Sequence, residues 1–313
     1  MHRDLSILIP SRNEEFLKHT VEDILKNKRA NTEVIAGCDG EWKRLPDPHP
    51  DVTLVIYHKS IGQRAITNSC ARMARGKYVM KVDAHCAFDE GFDKKMIEGF
   101  KGHENDCMVP IMRNLWAYDW KCYKCGTRVY QDKEFICPKC GHRMKKKILW
   151  YAKPSPQSTA YCFSSEPKFG YFGDLKRKQR KTGKKIVETM SLQGSCFMCT
   201  KKQYLDLNVC DEQFGSWGSQ GIEVACKFWL SGNKVLCNMN TWYAHMFRTK
   251  PNFSFPYKLS GRQVQYAKQR AKYIFFNNKW PKQVHPLSWL VEKFWPVPGW
   301  TDKELQELKK SEV

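Results

Sequence analysis

The N-terminal third of the chain alternates short apolar runs with amphipathic ones, and the apolar runs end on polar or acidic residues. Leu5–Pro10 reads as a buried strand. Phe16–Asn27 carries apolar residues at helical spacing (Phe16, Leu17, Val21, Ile24, Leu25). Thr32–Ala36 is a second strand running into Gly37-Cys38-Asp39-Gly40, and Val52–Tyr57 is a third. Gln63–Ala74 is a second helix, and Tyr78–Val82 is a fourth strand ending at Asp83. Such alternation predicts an α/β fold with a mostly parallel sheet and helices on both faces. Ligands of such sheets bind at the carboxyl ends of the strands. Those ends are Ser11-Arg12-Asn13-Glu14, then Asp39, then Asp83-Ala84-His85.

The composition changes between Asp119 and Lys147. Cys122-Tyr-Lys-Cys125-Gly and Cys137-Pro-Lys-Cys140-Gly form two C-x2-C-G pairs with eleven residues between them. The glycine after each pair permits a tight turn that aims both sulfurs at one point. Four thiolates close a tetrahedral shell, so Cys122, Cys125, Cys137 and Cys140 are expected to hold a structural Zn²⁺. A segment this small has no core without its metal.

Among 313 residues, 53 Lys and Arg against 32 Asp and Glu give a net charge of +21, which favours a polyanionic partner. Ser191–His245 returns to strand and helix patterning, with a helix expected over Ile222–Ser231. Lys176–Lys185 holds seven cations in ten residues. Read as a loop over 174–185, it offers Lys176, Arg177, Lys178, Arg180 and Lys181 as nucleic-acid contacts. Arg143, Lys145, Lys146 and Lys147 add charge beside the cysteines, and Lys268, Arg270 and Lys272 add more in the tail. Trp150, Tyr151, Tyr171 and Phe172 lie among these cations and could stack on an extruded base, although core packing is the commoner use of such rings. No run of about 18 apolar residues exists, so no membrane span is expected. The N-terminal apolar run meets Pro10 and then charges, and reads as a strand, not a signal peptide. A cytoplasmic, reducing location is therefore expected, with the fourteen cysteines as thiols or metal ligands.

The motifs together resemble glycosyltransferases of the GT-A fold, in the broad family-2-like group. Leu5–Glu14 looks like that family's opening strand and nucleotide loop. Cys38-Asp39-Gly40 looks like its second-strand acid. Gly62-Gln63-Arg64-Ala65, Asn68, Ala71 and Ala74–Tyr78 lead into Asp83-Ala84-His85, a histidine variant of the metal-binding DxD-type motif. Asp83-Ala-His85-Cys86, Trp217–Glu223 with Phe228–Gly232, and Ala244–Arg248 resemble polypeptide N-acetylgalactosaminyltransferases. The resemblance covers roughly residues 4–110 and 190–250. It implies a nucleotide-diphosphate sugar donor held by Pro10, Ser11, Arg12, Glu14, Asp39, Gln63, Arg64 and Asp83. It also implies a catalytic Mn²⁺ (or Mg²⁺) held by Asp83, His85 and His245, with Trp217, Gln220 and Glu223 on the catalytic side. A cation compensates the charge of a departing diphosphate, and Mn²⁺ accepts mixed nitrogen and oxygen ligands. Many relatives have an acid where Gln220 stands, which leaves Glu223 as the nearest candidate base of an inverting reaction; a retaining one needs none.

The expected plan is a nucleotide-sugar half over 1–117, a zinc-ribbon insert over 118–147, an acceptor-side half over 148–250, and a helical, aromatic extension over 251–313. The expected function is metal-dependent transfer of a sugar to a hydroxyl, with a hydroxymethylated pyrimidine of viral DNA as acceptor. Two readings stand beside it: the same chemistry on protein or polysaccharide at an inner membrane face, and an inactive nucleic-acid-binding module.

Overall fold

The computed structural model describes residues 2–132, 135–248, 257 and 261–311. The N-terminal elements are β1 (Arg3–Ser11), α1 (Leu17–Asn27), β2 (Thr32–Asp39), β3 (Val52–Tyr57), α2 (Gln63–Met73) and β4 (Gly76–Val82). Then come β5 (Cys86–Phe88), α3 (Phe92–Gly99), β6 (Cys107–Lys121), β7 (Arg128–Tyr130), β8 (Lys145–Ser158), β9 (Tyr161–Phe163) and β10 (Phe169–Tyr171). The chain continues through α4 (Gly173–Lys181), β11 (Ile186–Glu188), β12 (Cys196–Thr200), α5 (Lys201–Asp206), α6 (Gln220–Leu230) and β13 (Val235–His245). It closes with α7 (Gly261–Ala271), α8 (Leu287–Lys293) and α9 (Asp302–Ser311).

The main sheet runs β11-β13-β6-β12-β4-β1-β2-β3, with β5, β7 and β8 joined off that path. β1 pairs in parallel with β2 and β4, and β2 with β3; α1 and α2 lie between successive strands, whereas β2 passes to β3 through residues 40–51 without a helix. Leu5 through Ser11 and Thr32 through Asp39 are buried along their whole length, because helices cover both faces. The sheet is mixed rather than mostly parallel: β12 enters antiparallel to both β4 and β6. α1 buries Leu17, Thr20, Val21 and Ile24, a stripe at helical spacing.

Two regions differ from the sequence expectation. The basic stretch begins as a helix, not a loop. Gln179 of α4 is buried, accepts from the Thr159 hydroxyl at 2.8 Å and donates to Glu188 O at 2.8 Å. That anchor turns Lys178, Arg180 and Lys181 outward. The C-terminal extension is part of the core rather than an appendage. Trp280 and Trp300 are buried, Trp300 Nε1 donates to Phe163 O at 2.8 Å, and Phe294 meets Trp229 of α6 edge-on at 5.4 Å. The start of the extension, at 251–256 and 258–260, lies outside the described residues, as do residues 249 and 250 before it.

The cysteine pairs sit at the tip of a long hairpin. β6 leaves the main sheet and continues antiparallel to β8, with β7 alongside. Phe16 stacks on Tyr118 at 5.7 Å and meets Trp150 at 5.6 Å, so one face of the hairpin packs onto the β1–α1 junction. Gln131 Nε2 donates to Phe247 O at 3.5 Å, and Lys146 pairs with Glu15 at 2.9 Å.

Candidate functional site

A cavity of about 430 Å³ opens at the carboxyl ends of β1, β4 and β13. Asp83 follows β4, His85 lies two residues on, and His245 ends β13. β13 brings its last residue back to this point because His245 pairs with Cys86 of β5 on one side and with Asn114 of β6 on the other. His245 Nε2 lies 3.2 Å from Asp83 Oδ2 and 3.1 Å from His85 Nε2. Two imidazole nitrogens and a carboxylate oxygen thus converge on one point. A neutral imidazole carries one N–H and one lone pair, so this donor set fits a divalent cation with an open side toward the cavity.

The surroundings bias the ligands toward metal binding. Burial alone would raise the Asp83 carboxyl, but Lys81 and the two histidines hold it far below the usual carboxylate range. Burial first, then the neighbouring cations, push His245 down to about 4, so its ring is neutral at physiological pH. His85 Nδ1 lies 3.4 Å from Glu14 Oε1, and Glu14 is bound by Arg248 at 2.8 Å. Burial would raise Glu14, but His85 and Arg248 outweigh it and lower its pKa.

Several expected residues line this cavity: Pro10, Arg12, Glu14, Gln63, Asp83 and His85 on the nucleotide side, with His245, Trp217 and Gln220. Others do not. Ser11 is buried and absent from the wall. Asp39 is also buried, and its carboxylate accepts from Ser60 Oγ at 2.8 Å and from the N–H groups of Ile61 and Gly62 at 2.6 and 3.0 Å. It shapes the turn before α2, and Arg12 caps its carbonyl at 3.0 Å.

Arg64 and Glu223 differ most from expectation. Their side chains are 1% and 0% exposed and form an ion pair at 2.8 Å, with Lys227 on the other Glu223 oxygen at 2.7 Å. Glu223 also accepts from the Asp211 N–H at 2.7 Å. A carboxylate so enclosed has no path to an acceptor hydroxyl, so the structure does not support Glu223 as a base. Arg64 is likewise no donor contact: it donates to Gly215 O at 3.0 Å and to Gly218 O at 2.6 Å. The pair pins the 215–219 loop that carries Trp217. Gly218 there has φ +110, a conformation that favours glycine.

Sequence reasoning missed Lys81. It is 1% exposed, bonds to Asp83, and donates to Gly194 O at 2.6 Å. The signal was present: strand period two puts Lys81, Asp83 and His85 on one side. Gln193, Ser195, Phe247, Arg248 and Tyr257 also line the cavity.

The cysteine cluster has the opposite character. Cys122 Sγ lies 3.5 Å from Cys140 Sγ, and Cys125 Sγ lies 3.5 Å from Cys137 Sγ and 3.4 Å from Cys140 Sγ. A tetrahedron with Zn–S near 2.3 Å has edges of about 3.8 Å, so the four sulfurs fit zinc. The two pairs share one turn: Gly126 N donates to Cys122 O at 3.0 Å and Gly141 N to Cys137 O at 2.9 Å, with φ +73 and +68 at the glycines. Of the aromatics near the cations, Trp150 and Phe172 pack inward, whereas Tyr151 and Tyr171 are exposed.

Residues 6–116 match the family model for glycosyl transferase family 2. The chain is 20% identical over 253 residues to human polypeptide N-acetylgalactosaminyltransferase 13, covering 80% of this chain and 37% of that protein. It is 27% identical over 119 residues to mouse polypeptide N-acetylgalactosaminyltransferase 3, covering 36% of this chain and 18% of that protein. The solved structure of GalNAc-T7 with UDP, GalNAc and Mn²⁺ superimposes with a TM-score of 0.63 at 14% identity, covering 99% of this chain and 55% of that one. The fold is GT-A-like. The chain spans well under half the length of both curated relatives. Among the described residues no helix is long and apolar enough to cross a membrane.

Proposed function

We propose that this chain, which carries a glycosyl transferase family 2 domain on a GT-A-like sheet, is a divalent-cation-dependent glycosyltransferase that uses a uridine-diphosphate sugar. The observation that carries the reading is the convergence of Asp83, His85 and His245 on the open cavity. A cation bound there, Mn²⁺ or Mg²⁺, would neutralise charge on the departing diphosphate. The protein's own residues do the rest. Arg12 and Arg248 line the cavity and supply positive charge there, Arg248 held by Glu14 and Arg12 by Glu41. Lys81 orients Asp83. Arg64 and Glu223 hold the loop that presents Trp217, and Gln220 begins the adjoining helix.

The carboxylates on the cavity wall, among the described residues, are Glu14 and Asp83. The first is engaged by Arg248 and the second by Lys81. Neither is free to take a proton from an acceptor, which supports a retaining course. In that course the acceptor oxygen bonds to the anomeric carbon, the bond from that carbon to the diphosphate breaks, and the acceptor proton goes to the diphosphate oxygen.

The acceptor is a hydroxymethylated pyrimidine base in DNA. The support is the +21 charge and its outward display on α4, where Lys178, Arg180 and Lys181 are exposed. A polypeptide hydroxyl is the second reading, favoured by the names of the curated relatives. The test incubates the full chain and Mn²⁺ with hydroxymethylated DNA, plain DNA and Ser/Thr peptides, each with a panel of sugar nucleotides, followed by mass spectrometry of nucleosides and peptides. A sugar on the hydroxymethylated base alone is expected. Peptide transfer without DNA transfer overturns the acceptor; no transfer or donor hydrolysis under any condition overturns the enzyme.

A further inference from the structure

We propose that the β6–β7–β8 hairpin, capped by its four cysteines, is a finger that grips a nucleic-acid strand, stacking bases on an aromatic face and neutralising phosphates with interleaved lysines. The inference rests on the DNA-acceptor reading above and assigns the surface that would hold such an acceptor.

Position is the first argument. β6 pairs with β13 up to Asn114, opposite His245, and then runs on through Lys121. At about 3.3 Å per residue that extension reaches on the order of 20 Å past the candidate metal ligands. The hairpin therefore rises from the ligand end of the sheet. A small acceptor would need no structure of that reach, whereas a polymer must be held over many ångströms.

The faces of the hairpin differ. One is covered by the body, where Tyr118 and Trp150 meet Phe16. Away from that contact, Trp116 packs edge-on to Tyr130 at 4.9 Å and tilts against Tyr151 at 5.4 Å. Tyr151 is 44% exposed. The Lys153 amine sits 4.5 Å over Trp116 and 4.7 Å over Tyr130. Nearer the tip, Tyr123 is 64% exposed, with the amines of Lys121 and Lys145 at 5.5 and 5.2 Å from its ring. Exposed Tyr123 and Tyr151, with half-buried Trp116 and Tyr130, interleave with cations and form a stacking platform, since every base offers a π-face whatever its sequence.

Charge selects the occupant. Residues 121–147 hold nine Lys and Arg against two Asp and Glu. Four thiolates around Zn²⁺ would subtract two charges and leave the tip strongly positive. The cations fit a polyanion, and the rings fit bases. An acidic polypeptide would use the lysines and leave the rings idle.

The experiment measures fluorescence anisotropy of a labelled oligonucleotide with the full, zinc-loaded chain at several salt concentrations. Trp116→Ala/Tyr151→Ala is expected to weaken binding at least tenfold with the salt slope unchanged, because stacking carries no counterion release. Trp116→Phe keeps a ring and is expected to keep most of the affinity. Lys121→Ala/Lys145→Ala/Lys147→Ala is expected to reduce the log–log salt slope for a single-stranded oligonucleotide by about 2, near 0.7 per phosphate. Zinc content and uridine-diphosphate binding should match wild type in each variant, which separates lost contact from lost fold. If wild type binds DNA and the aromatic variant binds it equally well, the finger is wrong and the DNA reading stands. If polyglutamate displaces the oligonucleotide as well as unlabelled DNA does, the finger is an acidic-polypeptide site and the proposal falls. If wild type binds no DNA, both fall.

Discussion

The two clusters of metal-ligating residues are built on opposite plans. The four sulfurs at the hairpin tip come from two identical local turns within nineteen residues and close a shell with no vacant side. Asp83, His85 and His245 come from strand ends 160 residues apart and leave one side open to a cavity. A closed set stabilises and an open set can act. The difference also governs legibility. The cysteine spacing carries its own geometry, whereas His245 reaches Asp83 only because β13 pairs with β5 and β6.

The comparison is broken most severely by removing one sulfur. Cys137→Ser should abolish zinc binding, a site worth on the order of 10 kcal/mol in small zinc modules. Inductively coupled plasma analysis should then find no zinc, and the tip should become protease-sensitive. Uridine-diphosphate binding should stay within about tenfold of wild type, because the cavity is built on the sheet. Collapse of both together would erase the distinction between the two sites.

Glu223→Gln sharpens the role of the buried pair. Taking one partner from an enclosed ion pair costs about 3–5 kcal/mol, read as a lower chemical-denaturation midpoint. Turnover per folded molecule should persist, which a catalytic base would not allow. Asp83→Asn should lower turnover by about 10²–10³, similar to removing a major transition-state charge contact. It should leave zinc content close to wild type but lower the denaturation midpoint, because the Lys81 amine is 1% exposed and loses its charged partner.

The smallest effect is in pH. His245 is depressed from 6.5 to about 4 in the folded, metal-free protein. The unfolded chain therefore binds more protons between those values, and stability falls as pH drops from about 6.5 toward 4. The depressed Asp83 and Glu14 carboxyls act in the same direction at lower pH. Denaturation of EDTA-treated protein across this range should show the slope, and His245→Phe should flatten it. A wild-type midpoint that does not change between pH 7 and 4.5 would contradict this assignment.

The N-terminal strands and helices were legible because local pattern decides them: β3 and the starts of β2 and α2 fall where the apolar runs place them. The hairpin arms were not, since alternating aromatic and lysine residues around the cysteines give no clean strand period. The basic stretch misread as a loop because α4 is held by one buried glutamine, a contact invisible in sequence. At the site, the cavity contacts of Pro10, Arg12 and Glu14 followed from strand-end position, and that of Gln63, which begins α2, from the family resemblance. Arg64 and Glu223 did not, because a buried pair joining residues 159 apart looks, residue by residue, like two polar site candidates. Asp39 is ambiguous in sequence for the same reason: a turn-capping carboxylate and a base-binding one share the same Asp-Gly sequence, and the structure shows its carboxylate capping the turn before α2.

The central claim is that Asp83, His85 and His245 hold the cation on which nucleotide-sugar binding depends. Isothermal calorimetry of uridine diphosphate with the full chain tests it directly, with Mn²⁺, with EDTA, and with Asp83→Asn. The account predicts binding by wild type with Mn²⁺ and loss of that binding in both other conditions, while zinc stays bound at the hairpin tip. Equal affinity with and without the divalent ion, or undiminished Mn²⁺-dependent affinity in Asp83→Asn, would contradict it.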